Sequence, residues 1–128
     1  MANRIIEATL YQGTYKETNR KAATAYMLNV SPRNFIANGG DQVFLTVNLD
    51  SSVASGGGSI SGKIIWNNGS INPFSKTFAL PTALNTPTLI GILKKVKPGS
   101  SDKAEYTLSI TYNDNTYSED PEMRLKGE

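Results

Sequence analysis

Apolar and polar residues alternate one for one along most of this chain, and no stretch of useful length carries apolar side chains at helical spacing. Successive side chains of a strand point to opposite faces, so a period of two specifies strands buried on one face and wetted on the other. Residues 42–49 give the clearest case, with Val43, Leu45, Val47 and Leu49 in one row. Phe44 points the other way, which places it at an edge, under a loop or in an interface. Residues 104–112 are equally regular: Tyr106, Leu108, Ile110 and Tyr112 share a face, and Asn113-Asp114-Asn115 turns the chain into a strand over 116–125.

The other expected strands are weaker versions of the same pattern. Residues 5–11 place Ile6, Ala8 and Leu10 inward, and residues 23–30 do the same with Tyr26, Leu28 and Val30 until Ser31-Pro32 stops the ladder. Residues 60–66 turn Ile60, Ile64 and Trp66 to one side, with Gly62 leaving room beneath a neighbour. Asn68-Gly69 signals a type I′ turn, and Pro73 delays the return strand to 74–80. A last strand over 89–96 ends near Lys94, Lys95 and Lys97, charges that suit a sheet edge. Loops fill 12–21, 50–59 and 81–88, and Phe35 and Ile36 are expected to pack under a turn at 37–41. Seven or eight strands with no internal repeat and no boundary imply an all-β chain, a single antiparallel β-sandwich domain over residues 1–128.

Composition removes more chemistry than any motif supplies. The chain has no histidine and no cysteine. The usual general base, the imidazole metal ligand, the thiolate nucleophile and the disulfide are therefore all missing. No Gly-x-Ser-x-Gly elbow marks a serine, and the Gly56-Gly57-Gly58 run lacks the Lys-Ser/Thr ending of a phosphate loop. The expectation is a non-enzyme that needs no cofactor. With 13 basic against 11 acidic residues no basic patch argues for nucleic acid, and no apolar run argues for a membrane. Without a signal-peptide pattern, the chain reads as cytoplasmic, or as exported by a route that leaves no mark in the sequence.

Three groups of residues are candidate sites. Trp66 with Asn67 and Asn68 can bind carbohydrate, the ring stacking on sugar C–H faces and the amides bonding hydroxyls, although a lone Trp ending an alternating strand is more often a core residue. Asp114, Glu119 and Asp120, with Glu122 nearby, are hard oxygen ligands suited to calcium, although their spacing is not that of an EF-hand and solvated hairpin charges look the same. Phe44, outward on the most regular strand, is the candidate for contact with another chain.

Gly40-Asp41-Gln42-Val43 opening a strand, Asn72-Pro73-Phe74 before a strand carrying Phe78, and Tyr106-Thr107-Leu108 leading to Asp120-Pro121-Glu122-Met123-Arg124-Leu125 follow one another in order. The order resembles that of small bacterial cupredoxin-like or immunoglobulin-like β-sandwich proteins, and more distantly of the bacterial inclusion-body protein family. The resemblance implies the sandwich fold and a bacterial protein that self-associates, and it carries over no catalytic residues. The ligands of a blue-copper site have no counterpart here, so electron transfer is not expected. The first expectation is thus a non-catalytic, self-associating structural or interaction protein whose partner is itself or another protein. A small lectin using Trp66, Asn67 and Asn68 is the alternative.

Overall fold

The computed structural model describes residues 2–16, 22–56 and 58–127. Ten strands follow in chain order: β1 (Asn3–Lys16), β2 (Ala22–Ser31), β3 (Asn34–Asn38), β4 (Gln42–Leu49), β5 (Ser61–Asn67), β6 (Phe74–Thr77), β7 (Thr88–Leu93), β8 (Ser101–Tyr112), β9 (Asn115–Glu119) and β10 (Glu122–Lys126). Among the described residues there is no helix, and the chain is all-β.

The strands form one hydrogen-bonded sheet in the order β3-β10-β8-β9-β2-β1-β4-β7-β6, and β5 lies along β8 off this path. Most neighbours are antiparallel, but β1 with β4, β2 with β9 and β3 with β10 are parallel. A mixed sheet of ten strands therefore stands where seven or eight purely antiparallel ones were expected. Alternation reports which face of a strand is buried and carries no record of the direction of its neighbour.

The sheet folds over a single core. Its inward rows, Ile6, Ala8 and Leu10 of β1, Val43, Leu45 and Val47 of β4, and Tyr106, Leu108, Ile110 and Tyr112 of β8, belong to one buried cluster, as the alternation requires. The two far ends meet where Trp66 of β5 packs edge-on against Phe74 of β6, ring centroids 5.8 Å apart. Nearby, the Ile60 N–H donates to the Thr82 carbonyl at 3.0 Å. Leu80 covers the space left by Gly62.

Several boundaries differ from the expected ones for physical reasons. β1 continues to Lys16 because residues 12–16 pair with residues 22–26 of β2; backbone hydrogen bonds hold a stretch whose side chains carry no apolar period. Residues 17–21 of the expected loop, and Gly57 in the next, lie outside the described residues. β3 forms where a turn was expected, paired in parallel with β10. Its Phe35 reaches the core, while Ile36 points outward and is 59% exposed. β7 stops at Leu93, short of the lysines, and lies between β4 and β6 rather than at an edge. Asn68-Gly69 does form its turn, both residues at positive φ and Ser70 N–H bonded to the Asn67 carbonyl. The chain then leaves β5, and β6 pairs with β7.

The C-terminal arm is the largest regular unit. Asn113 and Asp114, both at positive φ, make the two-residue turn that pairs Tyr112 with Asn115. β8 pairs Leu108 with Glu119 and, three residues on along both strands, Glu105 with Glu122. The register is unbroken across Asp120-Pro121, and Tyr106 N–H still donates to the Pro121 carbonyl at 3.1 Å. β9 and β10 are thus one strand with an opening where Pro121 cannot donate.

Candidate functional site

Register alone assembles a polar cleft. On β8 the residues alternating with the buried row point outward, and Glu105 and Thr107 are two of them. Asn67 of β5 lies opposite Glu105 on one side and Glu122 of β10 on the other, with Asn34 of β3 beyond Glu122. The Asp120-Pro121 opening and Arg33, which precedes β3, close the far side. The result is a surface cleft of about 640 Å³.

Its side chains are held by one another. Asn67 Nδ2 donates to Thr107 Oγ1 at 2.7 Å, and Thr107 Oγ1 donates to Asp120 Oδ1 at 2.6 Å. Asn68 Nδ2 donates to Glu105 Oε2, and Lys103 Nζ lies 2.9 Å from Glu105 Oε1. Arg33 pairs with Glu119 at 2.8 Å and donates to the Asp120 carbonyl at 3.3 Å. Backbone bonds fix the frame: Glu122 N–H donates to the Arg33 carbonyl, and Glu105 N–H to Ser70 Oγ of the β5 turn.

This wiring sets the charge states. The hydrogen bond from Asn68, and then the bond and charge of Lys103, hold the Glu105 carboxyl below the usual carboxylate range. The same pairing with Glu105 raises Lys103. Both are ionised near neutrality, so Glu105 presents no proton for general acid catalysis there. Among the described residues, Asp120 Oδ2 and the amide oxygens of Asn67 and Asn68 accept no hydrogen bond from the protein. The cleft is therefore a set of fixed acceptors beside one guanidinium.

The residues singled out from sequence take different places. Asn67 and Asn68 line the cleft, and so does Asp120, with Glu119 behind it on Arg33. Trp66 turns inward on the opposite face of β5, its ring 5.4 Å from that of Tyr106 and partly buried against the core. Asp114 sits at the tip of the β8–β9 turn, away from Glu119 and Asp120 at the far end of β9. Among the described residues, no three carboxylates are grouped to hold a metal ion. Phe44 is half-buried on the outer face of β4, with Ile5 and Leu89 as its Cα partners.

Arg33, Glu105 and Thr107 were not legible as site residues. Glu105 and Thr107 are ordinary polar members of an alternating strand, and only the pairing of β5, β8 and β10 brings them beside Asn67 and Asp120. The one available signal was Asp120-Pro121, an interruption inside an otherwise regular strand. The sequence matches no protein-family model and no curated protein, so the cleft is read from its own geometry.

Proposed function

We propose that this protein acts by binding, without catalysis, and that the cleft at the Asp120-Pro121 opening takes a carbohydrate. One observation carries the reading: Asn67, Asn68 and Asp120, from two separate stretches of sequence, converge on a cleft where hydrogen bonds already hold them in place. A sugar presents neighbouring hydroxyls, each able to donate and accept, and planar amide and carboxylate groups match such pairs. Side chains fixed beforehand lose little rotamer freedom when a ligand arrives. Trp66 takes no part in this version of the lectin reading, because its ring turns to the other face of β5 and packs on Tyr106 and Phe74. Titration of the labelled protein with mono- and oligosaccharides, followed by NMR, tests it. The side-chain amides of Asn67 and Asn68 should move, and Asp120→Ala should remove the response; a glycan array and titrations that leave these signals in place would overturn the proposal.

We infer also that the folded-over sheet is an immunoglobulin-like or cupredoxin-like β-sandwich of a bacterial protein. The Trp66–Phe74 contact between the two ends of the sheet supports that reading, as does the resemblance carried by Gly40-Asp41, Asn72-Pro73-Phe74 and Asp120-Pro121. Self-association is a separate proposal on a separate surface. The open edge of β5 favours it more than Phe44 does, since Phe44 is half covered.

A further inference from the structure

We infer that β5 is the docking strand of a two-fold dimer, pairing antiparallel with β5 of a second copy. Among the described residues three strands have only one neighbour, β3, β5 and β6. Natural sheet edges are blunted by shortness, proline, bulges or charge. β6 has four residues, a bulge between Phe74 and Lys76, and Lys76 itself. β3 has five residues, between Pro32-Arg33 and Gly39-Gly40. β5 has seven, paired to β8 without a register shift, with Lys63 its single charge and Ile65 left 48% exposed on the outer face.

The free groups of this edge can be located. Ile60, just before β5, turns its N–H away from β8 to the Thr82 carbonyl, which closes the edge at that end. Strand geometry alternates the direction of backbone groups, so Gly62, Ile64 and Trp66 direct theirs to the open side.

The sequence of β5 fits its own copy in one register. With Ile64 opposite Ile64, Gly62 faces Trp66; Leu80 already covers Gly62 within each copy, so the outer face carries the fit. Lys63 then faces Ile65 on the outer side, its aliphatic stem covering the exposed isoleucine while the ammonium reaches water. Ser61 faces Asn67. Sliding the pair until Lys63 faces Lys63 sets like charges directly opposite, which is unfavourable. A second copy is therefore the partner this edge suits, and the isologous contact closes on itself.

The dimer has a consequence for the cleft that rests on the carbohydrate reading. Asn67 ends β5, so the two copies of Asn67 lie about 20 Å apart, at about 3.4 Å per residue, on one face of a continuous sheet. A ligand with repeated sugar units would then engage both clefts.

Sedimentation velocity without any sugar tests the dimer independently of the cleft. The mass should rise from 13.9 kDa toward twice that value as protein concentration approaches about 1 mM, the range of weak association. Ile65→Lys places a lysine opposite Lys63 at two symmetric positions and should weaken association at least about tenfold. Adding Lys63→Glu to that variant restores opposite charges across the same pair and should recover the dimer. A wild type that stays monomeric, an Ile65→Lys protein that associates unchanged, or a double variant that stays apart would each overturn the proposal. Amide exchange of the wild type gives a reading that needs no variant: protection at Gly62, Ile64 and Trp66 should grow with concentration, and protection that does not change would overturn it. If the dimer forms and sugars still leave Asn67 and Asn68 unmoved, the cleft reading fails alone.

Discussion

Asp41 is 2% exposed and accepts hydrogen bonds from Ala2 N–H, Asn38 N–H and Arg4 Nε, all near 3 Å, so one carboxylate ties the start of β1 to the turn before β4. Burial alone would raise its pKa. The two backbone bonds and the Arg4 bond and charge outweigh burial, and the carboxyl is held below its usual value. A depressed native pKa means the unfolded chain binds the proton more readily, so this stabilisation is full above about pH 4 and is lost as pH falls through the native value. Asp41→Asn should therefore lose about 2 kcal/mol at neutral pH. Urea unfolding at neutral and acid pH should find the gap between variant and wild type shrinking on acidification, and a gap independent of pH would count against the assignment. Gly91 is a second case of one residue setting a neighbour's place. A Cβ there would run into the ring of Phe74, itself packed on Trp66. Gly91→Ala should cost about 1–3 kcal/mol, the range for overpacking a core, and chemical denaturation measures it.

The alternation of single strands predicted most of their buried faces, because a residue's face depends only on its own parity once one neighbour is known; Tyr26, expected inward beside Leu28 and Val30, is instead 40% exposed. β8 and β4 follow their expected rows almost throughout, and the Asn113-Asp114 turn falls where the residue types place it. Partner choice was not legible: nothing in residues 3–10 says that β1 runs parallel to β4, and β3 was hidden because it is short and its run Phe35-Ile36-Ala37 is apolar on both faces, which masks the period of two. The cleft shows the same division. Asn67, Asn68 and Asp120 stand out by residue type and by the turn or proline beside them, whereas Glu105, Thr107 and Arg33 gain a role only from register. The turn itself can be tested as an element. Asp114 holds φ at 63°, a region that favours glycine, in the position where Asn-Gly is the preferred type I′ pair. Asp114→Gly should leave the C-terminal arm as stable or raise its stability by a few tenths of a kcal/mol, read from the thermal midpoint. Asp114→Val, β-branched at positive φ, should lower it by about 1 kcal/mol or more.

At the scale of the whole molecule, what distinguishes a folded-over sheet from an open ten-stranded one is the contact between its ends. Hydrogen bonding runs continuously from β5 through β8, β9, β2, β1, β4 and β7 to β6, and no ladder joins β5 to β6. Side chains make that closure instead: Trp66 on Phe74 and Leu80 over Gly62. Removing the Phe74 ring leaves every ladder in place and takes away the main apolar bridge. Phe74→Ala should therefore destabilise the fold by about 3–5 kcal/mol, the range for deleting a buried aromatic ring. It should also expose Trp66 to acrylamide while the far-ultraviolet spectrum keeps its strand signature. Trp66 is the only tryptophan, so the fluorescence signal comes from this one contact region. In the wild type that signal and the far-ultraviolet signal should follow one denaturation curve, because the core is a single cluster and the domain should unfold cooperatively. A Trp66 transition preceding loss of the strands in the wild type would mean that the ends part first, and that the closed sheet is not the cooperative unit.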